Sequence, residues 1–216
     1  MFRFLALTVV FFIAFAAAIV FLFSDSANNG ESELAAIQQD NDVQVADGEI
    51  AAKRNSEVTY TPEAFRKAAF EGNIEIVKSC IGKGVEIDDA DSSGFTALTM
   101  AAYNGHDKVC QVLIEAGADV NKRDNKGQFP LYHAASLDSP TTVKLLLDAG
   151  AEINETETRE NFTSLMMAAA EGNMGVVKVL LEAGADRSMR DVDGDRALEF
   201  AREYGHEEIA QLLQEN

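Results

Sequence analysis

Glycine returns in this chain at a fixed interval. Gly84, Gly117, Gly150 and Gly184 stand 33, 33 and 34 residues apart, and Gly72, Gly105, Gly172 and Gly205 keep the same pitch, with Asp138 in the one empty place. A period in the thirties restricts a chain to repeat architectures, in which each unit is too small to bury its apolar face alone and stacked neighbours share one core. The clearest copy is DSSGFTALTMAAYNGHDKVCQVLIEAGADVNKR, from Asp91 to Arg123.

The residues of that copy predict a helix-turn-helix. Thr96 precedes an apolar-periodic run, where a hydroxyl caps the unpaired N–H groups of a first helix. Pro130 stands at the next position of the third copy, a first-turn site that tolerates proline. Leu98, Ala101 and Ala102 make one face, and the alanines let neighbouring helices approach closely. Gly105 ends this helix as a left-handed glycine does. Val109, Leu113 and Ile114 give a second helix its apolar stripe, and Gly117 ends that one.

This pattern resembles the ankyrin repeat, D-x-x-G-x-T-P-L-H-x-A-A-x-x-G-H followed by an apolar helix and G-A-D-x-N. The resemblance runs from Val58 to the C-terminus. It implies an all-α ankyrin solenoid of five helix-turn-helix repeats with short hairpin turns, at about 58–90, 91–123, 124–156, 157–190 and 191–216. The first repeat lacks the turn glycine, starts at Thr61-Pro62-Glu63 and carries Arg66 and Lys67, while the last has Arg202 for the second alanine. Both ends read as polar caps, so the array is expected to be complete at five. Repeat three has Asp138-Ser139-Pro140 between its helices. Repeat four has one extra residue within 152–160, and Asn161 replaces the turn glycine, asparagine being the next-best residue for positive φ.

Ahead of the repeats, Phe4 to Phe23 is a run of 20 residues without a charge, and Thr8 is its only polar side chain. As a helix it spans about 30 Å, the hydrocarbon thickness of a bilayer. That length favours a transmembrane anchor over a cleaved signal sequence, whose apolar region is usually about 7–15 residues. Ser24 and Ser26 offer small residues for cleavage, and the alternative stays open. No cysteine lies nearby to carry a lipid. Arg3 precedes the run while Asp25, Glu31 and Glu33 follow it, so residues 1–3 are expected in the cytoplasm and the repeats outside. The expected location is the periplasmic side of an inner membrane, or the periplasm itself if the segment is cleaved. Residues 24–57 carry eight acidic and two basic side chains without an apolar period, the composition of a flexible linker. Such a coil reaches about 30 Å on average.

The net charge of −18 disfavours nucleic acid, whose phosphates are held by Lys and Arg, and favours neutral or basic protein partners. No metalloprotease, nucleophile-elbow or phosphate-loop motif occurs, so no enzyme activity, cofactor or small-molecule substrate is expected. Asp88-Asp89-Ala90-Asp91 and Asp191-x-Asp193-Gly194-Asp195 hint at calcium. Counted from Asp191, however, Arg196 and Arg202 stand where the loop needs glycine and glutamate. His106 and His206 share the inter-helix register and are expected to bond to a neighbouring loop, and His133, in a column with Met100, Met167 and Phe200, is expected to pack. Cys80 and Cys110 lie on adjacent second helices about one turn out of register. Helices packed about 8–10 Å apart exceed the disulfide limit of about 7 Å, so both are expected as buried thiols.

The resemblance also implies where a partner binds: on the hairpin tips and the exposed, concave side of the first helices. The tip column holds Phe95, Gln128, Phe162 and Asp195. Two helix columns hold Phe70, Tyr103, Ser136, Ala170 and Glu203, and beside them Glu71, Asn104, Leu137, Glu171 and Tyr204. Of these, Phe70, Phe95, Tyr103, Asn104, Gln128, Leu137, Phe162, Glu171, Asp195 and Tyr204 are the expected contacts. Phe70 and Phe95 have a second reading as packing against the next repeat. The expected function is a non-catalytic, membrane-tethered protein-binding module whose partner has a basic rim. The alternative is a subunit packed permanently into a membrane complex.

Overall fold

The computed structural model describes residues 60–214. They belong to a compact unit running from Glu57 to Asn216. The short N-terminus, the expected anchor at 4–23 and the linker at 24–57 lie outside the described residues. Among the described residues no helix is long and apolar enough to cross a membrane.

Among the described residues ten helices form five pairs: α1 (Pro62–Glu71) with α2 (Ile74–Gly82), α3 (Ala97–Tyr103) with α4 (Asp107–Glu115), α5 (Pro130–Ala135) with α6 (Pro140–Asp148), α7 (Ser164–Glu171) with α8 (Met174–Glu182), and α9 (Ala197–Glu203) with α10 (Glu207–Gln214). The first helices pack against one another in chain order, and α2, α4, α6 and α8 form a second row. Only two isolated bridges, Ala90–Thr96 and Thr156–Thr163, pair extended backbone among the described residues.

The expected caps are present. Thr61, Thr96 and Thr163 accept the N–H groups of Ala64, Thr99 and Met166 at 3.1, 3.2 and 3.2 Å. Repeat three has Phe129 in that place, and Pro130 follows it with no N–H to satisfy. Repeat five has Arg196 there, and Glu199 reaches back to accept its N–H at 3.0 Å. Between the rows, Leu98, Leu131, Leu165, Val77, Leu113, Leu146 and Leu180 are fully buried. Each such side chain contributes about 1.5–3 kcal/mol of burial. The paired alanines 68–69, 101–102, 134–135 and 168–169 are buried with them.

Polar bonds then tie each repeat to its neighbour, along two lines. At the end of the second helices, the side-chain oxygens of Asp88, Asn121 and Asn154 accept the N–H groups of Asp119, Glu152 and Asp186 at 3.0, 3.0 and 2.8 Å. At the inter-helix loops, His106 Nε2 donates to the Phe70 carbonyl at 2.8 Å, Asn173 to Ala135 at 2.9 Å and His206 to Ala170 at 3.0 Å. The two histidines therefore take the loop-bonding role expected of them. Gly72 and Gly172 are required beneath these rings: a Cβ would come within 2.8 Å of His106 and 2.5 Å of His206.

Each hairpin is built on one carboxylate. Asp91, Asp124 and Asp191 each accept two backbone N–H groups, two and four residues ahead. In repeat four the corresponding residue is Glu157, which accepts from Arg159 at 2.8 Å, from Phe162 at 3.3 Å and from Glu160. The hairpin with one more residue has an acid with one more methylene, and Asn161 takes the positive φ of 56°. At the N-terminal end Arg66 pairs with Asp89. Cys80 and Cys110 are buried and unpaired. Burial, then Asp107, pushes the Cys110 thiol up to about 12, and burial raises that of Cys80, so neither thiolate forms readily near neutrality.

Candidate protein-binding face

The ends of the first helices recur at nearly the same place in each repeat, although the helices run from 6 to 10 residues and differ in their caps. Tyr103 closes α3 and Glu171 closes α7, while Leu137 and Tyr204 follow α5 and α9. Leu137 is 40% exposed, one of two large apolar side chains among the described residues to stand out so far, Val192 being the other. Phe70, Tyr103 and Tyr204 are half-buried, and Glu71, Glu171 and Glu203 are exposed. Asn104 is half-buried too, with its amide donating to Met100 of its own helix at 3.0 Å. Ser136 likewise donates to the His133 carbonyl at 2.7 Å.

The tip column divides. Phe95, expected among the presented aromatics, is 7% exposed and stands edge-on to His133 with ring centroids 5.1 Å apart. It is a packing residue. Gln128 and Asp195 are half-buried, and Phe162 lies half-covered on Phe200 at 4.6 Å. Burial and the charges of Asp191, Glu199 and Asp193 raise the Asp195 carboxyl pKa, so the C-terminal hairpin is crowded with negative charge. Asp191 spends one carboxylate oxygen on N–H groups of its own hairpin.

His133 holds the face together from beneath. It is 3% exposed, and the rings of Phe95, Tyr132 and Tyr103 stand edge-on to it at 5.1, 5.8 and 6.0 Å. Its Nε2 donates to Asp124 Oδ2 at 3.0 Å, while Asp124 Oδ1 accepts from Lys126 and Gln128. Packing was expected of this residue, but the bond to Asp124 was missed. The available signal was a lone histidine in a column otherwise filled by Met100, Met167 and Phe200, in a repeat that keeps its hairpin aspartate. Among the described residues no group of three or more His, Cys, Asp or Glu is arranged to hold a metal.

A family model described as ankyrin repeats in three copies matches residues 65–157 and 155–216. Protein HOS4 of Saccharomyces cerevisiae is 52% identical over 46 residues, 21% of this chain and 4% of its own length. Probable E3 ubiquitin-protein ligase XBOS33 of Oryza sativa subsp. japonica is 45% identical over 49 residues, 23% of this chain and 9% of its own. The chain thus spans less than a tenth of either relative. With five stacked helix pairs, the capping threonines and a family match over most of its length, the chain belongs to the ankyrin-repeat family.

Proposed function

We propose that the repeats are a non-catalytic protein-binding module that engages its partner along the ends of the first helices. The observation that carries this is Leu137, exposed at the middle of a row that also presents Tyr103, Glu171 and Tyr204. An exposed apolar side chain in one row with tyrosines offers contact area, and carboxylates at the rim supply orientation. The partner brings a basic rim, since residues 58–216 carry a net charge of −13. The ligase named among the relatives is a much longer protein, and that chemistry is no part of this proposal.

The test is a photo-crosslinking residue placed at Leu137 or, on the opposite row, at Lys144 of the full-length chain. Adducts from position 137 alone support the reading, and adducts from 144 alone overturn it. The apolar run from Phe4 to Phe23 and Arg3 favour a module tethered outside the cytoplasm. Recovery of the intact N-terminal peptide from membranes is the expected result, whereas a mature soluble protein starting near Ala27 overturns the tether. Permanent packing in a membrane complex is distinguished by a partner that stays bound through extensive washing without crosslinking.

A further inference from the structure

Every helix ends in backbone carbonyls that its own N–H groups cannot reach. In α1 these find donors close by. Asn73 and Gly72 donate to Ala68 and Ala69, and the His106 ring of the next repeat donates to Phe70. In α7 the carbonyl in the place of Phe70 is that of Ala170, and it receives the His206 ring. In α3 the Met100, Ala101 and Ala102 carbonyls take the N–H groups of Asn104, His106 and Gly105. The Tyr103 carbonyl, in register with Phe70 and Ala170, receives no hydrogen bond among the described residues.

The difference is Ser139. It precedes α6 as His106 precedes α4, with a ψ of 74° against 71°. Its hydroxyl turns away to Asp107 Oδ1 at 3.2 Å and Thr142 Oγ1 at 3.1 Å. The floor beneath is nevertheless the same, since Gly105 has a φ of 66° beside 74° at Gly72 and 78° at Gly172. A Cβ on Gly72 or Gly172 meets an imidazole within 2.8 or 2.5 Å, whereas one on Gly105 first meets the Ser139 oxygen at 3.4 Å. The second junction therefore has the glycine floor and the carbonyl of an imidazole seat, with a hydroxyl where the first and fourth junctions have the ring. The third junction is built otherwise: Asn173 donates to Ala135, one residue earlier, and Asp138 replaces the glycine.

Two side chains border this seat. Leu137, exposed, lies two residues before Ser139 and accepts its N–H at 2.8 Å. Asp107 brings a carboxylate, where the other two seats have Ile74 and Met174. We propose that the seat takes a histidine side chain of the partner protein, its ring N–H donating to the Tyr103 carbonyl over Gly105 and its neighbour packing on Leu137. The molecule itself points to that occupant, because it lays the same ring on the same two groups at two of its own junctions. Imidazole has an N–H donor in either tautomer, and Asp107 attracts its protonated form as well. The proposal rests on the protein-binding reading of this face and adds the residue that docks there.

The test is a titration of the isotope-labelled full-length chain with two rings of one shape. 4-Methylimidazole is used above its own pKa, where it is uncharged, and 4-methylthiazole has no N–H. The expected result is a saturable shift of the Tyr103 carbonyl and of the Gly105 and Ser139 amides with 4-methylimidazole. Binding of 4-methylthiazole should be about fivefold weaker, the loss of one hydrogen bond. Ser139→His, at a position whose ψ already matches that of His106, supplies the ring from within and should abolish the response with unchanged helical circular dichroism. Thr141→His adds a histidine at an exposed position of α6 outside the seat and should leave the response as it is. In the crosslinking experiment Ser139→His should also cut the adducts from position 137 about tenfold.

A response that persists in Ser139→His, shifts that do not saturate or that centre on another loop, or equal binding of the two rings overturns the proposal. Should Ser139→His lose its helical signal, the comparison of the two rings on the unaltered chain decides alone. The two readings fail separately. Adducts from 137 that persist in Ser139→His keep the face and remove the histidine, and a saturable response without adducts from 137 keeps the seat and removes the face.

Discussion

Ser164 Oγ is a buried side-chain oxygen for which the described residues provide no hydrogen-bond partner. It stands at the first position of α7, where the other repeats have Pro62, Ala97, Pro130 and Ala197. A buried unpaired hydroxyl costs about 1–3 kcal/mol, so Ser164→Ala should stabilise the protein by about 1 kcal/mol and raise the unfolding midpoint by about 2–4 °C. A lowered midpoint would mean that the hydroxyl has a partner after all. A second residue-scale outcome concerns Gly172 and Gly184, which both have positive φ, 78° and 91°. A Cβ on Gly184 meets nothing within 4 Å, whereas one on Gly172 collides with His206. Both Gly→Ala changes carry the backbone strain of about 1–2 kcal/mol. Gly172→Ala should lose about 1 kcal/mol more than Gly184→Ala in denaturant melts, since overpacking costs about that much or more. Adding His206→Ala should erase the difference.

At the scale of the element, the hairpin of repeat four shows what a sequence discloses and what it withholds. Its extra residue and the left-handed Asn161 were legible, because register and φ preference belong to single positions. The compensation by Glu157 was not, because it lies in the reach of a side chain toward three N–H groups. Glu157→Asp shortens that reach and should cost about 2 kcal/mol, the loss of one or more charge-assisted bonds. Hydrogen exchange should show the loosening first in residues 157–163, and an unchanged exchange rate there would refute the role assigned to the carboxylate. Phe95 teaches the same lesson. Its column marks it as a tip residue, but the ring is buried against the edge of His133, the one histidine in the column of Met100, Met167 and Phe200. The helix caps and the loop histidines were readable for the opposite reason: their partners lie at fixed spacing on the repeat itself or one repeat away.

For the whole molecule, cohesion rests on neighbour-to-neighbour packing of α1 through α10, and the thiols of Cys80 and Cys110 are separately buried. The unfolding midpoint of the full chain is therefore expected to be the same with a chelator, with a reductant, or with neither. A shift of several degrees would reveal a structural metal or bridge, each of which contributes several kcal/mol. The bonds from Asp88, Asn121 and Asn154 also bear on how the array responds to pulling, because each spans one junction and none spans two. Under tension applied at its two ends, such a chain has no single bolt to shear. It yields like a zip fastener, releasing one tooth at a time. A 33-residue repeat drawn straight is about 110 Å long, so an optical trap should record steps near that length, with each released repeat able to re-engage while its neighbour stands. A partner seated across several junctions would act as a clasp, and the first step would then come at higher force.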